Sequence, residues 1–248
     1  MRKIAPLFTK ELRSYFYSPI AYVVLVVFLA FNGFIFFLIM SALNDPRMPR
    51  EGSAMQLFFG GTIFFYLLIS IVAAVITMRL IAEERKSGTI EVLMTAPITD
   101  WDLVLSKYFG AMAFYLFLWL PTLSYVVVLR RYSEIDMGPL CSGYLGIVLF
   151  GSMSLSVGLL CSAVTRNQII AAISSFVIIT VLWTLGIFRS FTTGTLVQGF
   201  LSYVNILDHF FESFSKGIVD TRALAYYVSS TVLCLFLTVK IVESRKWR

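Results

Sequence analysis

Six apolar runs dominate this chain, at residues 20–40, 57–78, 108–129, 144–164, 169–188 and 224–239. A helix rising 1.5 Å per residue needs about 20 such residues to cross about 30 Å of hydrocarbon, and the first five runs meet that length while the last falls short of it. Lipid offers no partner to open backbone. The runs are continuous rather than alternating with period two, so each is expected to be a helix and not a barrel strand. The fold class is therefore all-α: a polytopic membrane protein with six transmembrane helices. Of the 248 residues, 58% are hydrophobic and 14% charged, against about 25% charged in soluble domains. Six spans of that length use about 120 positions, so what remains is loops and ends. A single transmembrane domain over 1–248 is expected, with 1–19 at the interface, 79–107 on one side and 189–223 on the other.

Sidedness follows from Lys and Arg. The segments before the first run, between the second and third, between the fourth and fifth, and after the sixth hold thirteen; the other three hold seven. The positive-inside rule makes the first set cytoplasmic, with both ends of the chain inside. Acidic residues divide seven and seven, so the net charge of +6 lies wholly on that face. Basic residues flanking spans meet anionic lipid, and the charge balance calls for no nucleic acid. The first run follows a segment holding Lys10, Glu11 and Arg13 and lacks a small-residue cleavage site, and is expected to be a retained span.

Several chemistries lack their parts. No run carries Asp, Glu, Lys, Arg or His near its centre, which disfavours ion-coupled transport; the nearest charges, Arg79 and Lys240, sit at run ends where they can snorkel. There is one histidine, His209, with no HExxH and no Cys/His cluster to hold a metal. Cys141, Cys161 and Cys234 make an odd set, two of them in apolar runs, and read as packing. No GxxxxGK[ST] occurs. Any work driven by nucleotide must draw on another chain, and this one is expected to be no enzyme.

The segment 81–107, IAEERKSGTIEVLMTAPITDWDLVLSK, is the most informative. The second span should run on as continuous helix from residue 57 to about 86, through Glu83, Glu84, Arg85 and Lys86, until Gly88 breaks it. Thr89 can cap a short amphipathic helix bearing Ile90, Leu93 and Met94 on one side, closed by Pro97. Thr99 and Asp102 form a capping box that starts the third helix near Asp100. Four carboxylates, Glu83, Glu84, Glu91 and Asp100, stand beside Arg85 and Lys86. Mixed charge with a small apolar ridge suits docking to a soluble partner, though an interfacial anchor would use the same residues.

The run E-E-R-x-x-G-T-I-E-x-L-x-x-x-P, here Glu83, Glu84, Arg85, Gly88, Thr89, Ile90, Glu91, Leu93 and Pro97, resembles the signature of ABC-2 type transporter permeases. The longer LMTAPITDWDLVLSKY is similar to the branch that includes gliding-motility-associated and nitrous-oxide-reductase-maturation permeases. The resemblance extends to K-E-L-R-S-Y-F-Y-S-P (10–19) and H-F-F-E-S-F-S-K-G-I-V-D (209–220). It implies a permease subunit of an ATP-driven exporter in a prokaryotic cytoplasmic membrane. Residues 83–97 would be the coupling helix seated on a separate ABC ATPase. Two ATPases and a second permease, identical or related, would complete the transporter, and ATP and magnesium would be bound by the partner rather than by this chain. The rival reading is a membrane scaffold or assembly factor without transport.

Three further segments carry expectations. Residues 6–17 form an amphipathic helix that either lies on lipid or, as the resemblance implies, packs near the coupling helix. Gly151, Ser154, Gly158 and Ser162 form a small-residue stripe for close helix packing, within one subunit or across a dimer. In 189–223 the stripe Leu196, Phe200, Tyr203, Leu207, Phe210 and Phe214 should lie along or dip into the outer leaflet, or else form the apolar underside of a surface loop; the resemblance implies external or re-entrant helices there. Asp220 should cap the sixth span. Asn32 and Pro121 are the remaining polar and kinking features within spans.

Overall fold

A computed structural model describes residues 4–44, 54–59, 62–89, 99–131, 136–188 and 205–244. Among these, every regular element is helical. Helix α1 covers Ile4–Phe16, α2 Pro19–Asn44, α3 Ala54–Phe58, α4 Ile63–Thr77, α5 Ala82–Lys86, α6 Asp100–Trp119, α7 Leu123–Arg130, α8 Met137–Val164, α9 Gln168–Phe188 and α10 Thr221–Ser244. Six stretches are long and apolar enough to cross a membrane: Pro19–Asn44, Ile63–Lys86, Asp100–Arg130, Met137–Val164, Gln168–Ile187 and Thr221–Ser244. The all-helical, multi-pass expectation holds.

The starts of the spans follow local chemistry. Thr99 and Asp102 make the reciprocal capping box, with the Asp102 amide donating to Thr99 Oγ1 at 3.1 Å and the Thr99 amide to Asp102 Oδ2 at 3.2 Å. Asp136 accepts from the Gly138 amide at 2.9 Å, Asn167 from Ile169 at 2.9 Å and Asp220 from Arg222 at 2.8 Å. Each side chain satisfies an amide that the first turn leaves open. Pro121 falls in a single 3-10 turn, Leu120–Thr122, between α6 and α7.

Helix α8 is the centre of the bundle, touching α4, α6, α9 and α10. A side-chain carbon on Gly151 would strike the Tyr115 ring of α6, and one on Gly158 would strike Thr77 of α4. These glycines let neighbouring helices approach to backbone contact. Ser152 links the Tyr108 hydroxyl of α6, at 2.6 Å, to Thr231 of α10, at 3.3 Å. The outermost helices are α2 and α9, with Val26, Phe34, Phe37, Ile169, Ile173 and Val177 exposed, as side chains facing hydrocarbon should be. Asn32, buried in α2, returns its amide to the Phe28 carbonyl at 2.9 Å.

Two expectations are corrected here. The second span is not one helix from 57 to 86. It begins at Ile63 and leaves α geometry over residues 78–81 before α5, because the amides of Ile81 and Ala82 turn to a side chain of α8 instead of the carbonyls one turn back. The described part of the outer segment does not face lipid through Phe210 and Phe214. Residues 206–216 form a helical strap in which Ile206, Phe210 and Phe214 are fully buried against Gly146, Phe65 and Tyr227. Gly146 is small enough to let those two rings sink into the bundle, where they displace the expected lipid contact. Leu207 is packed against the same core, and Leu196, Phe200 and Tyr203 lie outside the described residues.

Candidate functional site

The charged signature sits where α4 has just ended. Ser162 of α8 reaches into the break: its Oγ accepts from the Ile81 and Ala82 amides, both at 3.1 Å, and donates to the Met78 carbonyl at 3.2 Å. One hydroxyl thus meets two amides and a carbonyl at the break. Arg85 donates to the carbonyls of Ala163 and, at 3.3 Å, Thr165, the open acceptors at the end of α8. A guanidinium there meets the negative end of the helix dipole.

Glu84 turns the other way, into the protein. Its Oε1 lies 2.7 Å from the Lys107 ammonium, which also donates to Glu11 Oε1 at 2.9 Å. The Lys107 side chain is only 1% exposed. It lies seven residues into α6, about 10 Å from the helix start. A buried ammonium must be paired and hydrogen-bonded, and two carboxylates from two other elements do this.

Helix α1 is fixed alongside. Glu11 touches Lys107 and the Gly110 position, Tyr15 stacks on Phe114 at 4.9 Å and Phe16 meets Phe117 at 5.0 Å. The contacts advance together along both helices, so α1 runs beside α6 in the same direction. The Tyr15 hydroxyl donates to the Ile76 carbonyl at 2.9 Å, and burial pushes that phenol far above its ordinary range, so it stays a donor at any physiological pH. Arg79 lies 5.0 Å over the Tyr15 ring and donates to Ser18 at 2.8 Å. The cation expected to snorkel instead grips the joint between α1 and α2, because a ring and a hydroxyl are within reach.

Together these elements line an open pocket of about 280 Å³ whose charged residues are Lys10, Glu11, Arg79, Glu83, Glu84 and Lys107. Glu83 and Lys86 are exposed. Gly88 has φ of +74° and open space where a side chain would stand, so its requirement is conformational and not steric. The Thr89 hydroxyl donates to the Glu84 carbonyl at 3.3 Å and Ser87 Oγ to that of Glu83 at 3.0 Å, closing the end of α5. Ile90, Glu91, Leu93 and Pro97 lie outside the described residues.

The structure therefore brings Glu84, Arg85 and Ser162 into one junction and places Gly88 and Thr89 just beyond it. Gly151 faces Tyr115, and Ser154 is fully buried. Sequence reasoning overlooked Lys107, Glu11, Tyr15 and Arg79. It started the third span at residue 108 and so counted Lys107 as a loop charge, although the capping box at Thr99 already put that lysine two turns inside a helix.

A family model described as ABC-2 family transporter protein matches residues 5–242, nearly the whole chain. The chain belongs to the ABC-2 family of transporter proteins. Comparison with curated proteins finds no match. Members of the ABC-2 family are membrane components of transport and are not themselves the catalyst, and membership implies an ATPase partner in general. This ABC-2 chain is accordingly a multi-pass membrane permease, and the junction just described belongs to its second, third and fourth spans and α1.

Proposed function

We propose that this permease is one membrane half of an ATP-driven exporter in a prokaryotic cytoplasmic membrane. In this reading two ATPase subunits bind ATP and magnesium, and two permeases, identical or related, form the pathway between them. Both ends of the chain are cytoplasmic, and residues 83–97 receive the ATPase. The sequence LMTAPITDWDLVLSKY supports a place in the gliding-motility and nitrous-oxide-reductase-maturation branch.

The observation that carries the reading is how the charged stretch is mounted. A passive anchor needs only an apolar face toward lipid. Here α5 is tied by side chains to α8 through Ser162 and Arg85 and to α6 and α1 through Lys107. Exposed Glu83 and Lys86 are left to face a partner. Force applied at such a mount moves three helices at once.

The contact residues are tested by reversing the exposed charges. Glu83→Lys with Lys86→Glu should weaken co-purification of the ATPase while the permease keeps its thermal stability. Unchanged assembly would remove this surface from the interface. Sidedness is tested by labelling: Ser87→Cys should react only from the cytoplasm and Ser133→Cys only from outside. The opposite pattern would overturn the orientation.

A further inference from the structure

The interruption of the second span poses a mechanical problem. An unbroken helix would pass a displacement at residue 86 along its axis through backbone hydrogen bonds. Here the Leu80 amide reaches back only three residues, to the Thr77 carbonyl at 3.1 Å, and the next two amides bond to Ser162. The Glu83 amide resumes the helical pattern at the Arg79 carbonyl, 3.3 Å away, so the axial path is weakened at the two intervening amides and side chains carry part of any motion of α5 sideways. Some of these ties run to α8. Another is a single ammonium, Lys107, buried between a carboxylate of α1 and a carboxylate of α5.

Buried ion pairs add little net stability compared with apolar packing of similar volume, while parting the partners is costly because it leaves a buried charge uncompensated. The Lys107 arrangement is stricter than a pair. One cation serves two carboxylates, so loss of either contact leaves the site with a different charge balance and not merely one bond fewer. It joins residues 96 apart in sequence and holds α1, α5 and α6 at one point. Around that point Tyr15 and Arg79 lock α1 to the end of α4 and to Ser18.

We propose that Lys107 is a positioning residue for transport: shared between Glu11 and Glu84, it carries displacement of α5 to the third span and to α1. The inference rests on the reading of 83–97 as the ATPase contact and adds the route by which the signal leaves it.

The test uses the full permease reconstituted in nanodiscs with its ATPase, reading stimulation of ATP hydrolysis by the permease. The neutral triple variant Glu11→Gln, Lys107→Met, Glu84→Gln removes every charge of the clamp and leaves no lone carboxylate. Measured at saturating ATPase, so that any loss of affinity through Glu84 is removed, its stimulation should be about tenfold lower than that of the native chain, the scale of a broken coupling contact. A second variant, Glu84→Cys with Lys107→Cys and Glu11→Gln in a background lacking the three native cysteines, takes a reducible bis-methanethiosulfonate linker across the same gap, since lysine and glutamate meeting tip to tip span more than a direct disulfide does. Stimulation should be low when this protein is reduced and restored when it carries the linker. Native stimulation from the neutral variant, or equal activity of the reduced and linked forms, would overturn the proposal. Should the neutral variant not fold, the redox comparison within one protein decides. A native chain that neither binds nor stimulates the ATPase would overturn the coupling reading itself, and the clamp with it.

Discussion

At the end of the bundle that carries α1, the joints are directional: Lys107 between Glu11 and Glu84, Ser162 in the break after α4, and Arg85 on the last carbonyls of α8. At the far end the strap 206–216 is held chiefly by rings, with Phe210 5.1 Å from Phe65 and 6.0 Å from Tyr66, and Phe214 6.3 Å from Tyr227. Its polar ties include Asn205, which caps its first turn at 3.2 Å, and Ser142, which donates to the Phe214 carbonyl. Hydrogen bonds and ion pairs fix angle and register. Ring packing fixes separation and tolerates rotation, since its attraction is spread over many weak contacts. One end is thus built to transmit position and the other to fill space.

The sharpest way to break this contrast is Lys107→Met, which leaves Glu11 and Glu84 facing each other without their cation. Stability should fall by about 4 kcal/mol, within the span seen when one partner of a buried ion pair is removed. The loss is measurable as a lower midpoint for thermal aggregation in detergent, and the added substitutions Glu11→Gln and Glu84→Gln should recover most of it. Full stability of the single variant would mean that charge does not hold this end.

Phe210→Ala attacks the far end, where the expected loss is about 3 kcal/mol from the unfilled volume. Proteolysis should then increase in the strap while hydrogen exchange around α5 stays as it was. Protection lost at both ends would show that they are not separate.

A smaller effect is expected from Gly88→Ala. With φ of +74° and no neighbour to clash, the change costs about 1 kcal/mol of backbone strain. Glycine's other common role, making room, is absent here, so Gly88→Asn should cost less than the alanine. A larger loss with Asn would point to crowding instead.

The smallest effect is a pH dependence confined to the far end. Burial lowers the His209 pKa from its ordinary 6.5, with Asp220 and Asp208 opposing. The folded protein therefore prefers the neutral ring. The contribution is present above pH 6.5 and is lost as pH falls through that value, because the unfolded chain takes up the proton first. His209→Gln should flatten this part of the stability profile between pH 7 and 5; an unchanged profile would assign it elsewhere.

Much of this was legible in the residues. Apolar run length gave six spans, and local capping pairs gave the starts at Asp100 and Thr221. Gly88 was readable as a stop because its role depends on backbone conformation alone. The junction was not. Lys107 and Glu11 are far apart in sequence, and nothing nearby in the chain marks either as half of a pair. Ser162 looked like one more small residue in a packing stripe, since a hydroxyl accepting two distant amides has no local signature. The outer stripe was misjudged for a related reason: three- and four-residue spacing identifies an apolar face but not whether lipid or protein covers it. Gly146, which admits Phe210 and Phe214, decides that, and its partners lie more than sixty residues away.

The distance between Glu11 and Lys107 also bears on how the protein is made. The lysine is synthesised 96 residues after the carboxylate, a gap of about 5 to 20 seconds at ribosomal speed. By then α1 has been synthesised, so its carboxylate is available when the third span forms. Biogenesis of this permease should accordingly depend on chain order: a circular permutant delivering the first nineteen residues last would insert that lysine with no counter-ion from α1.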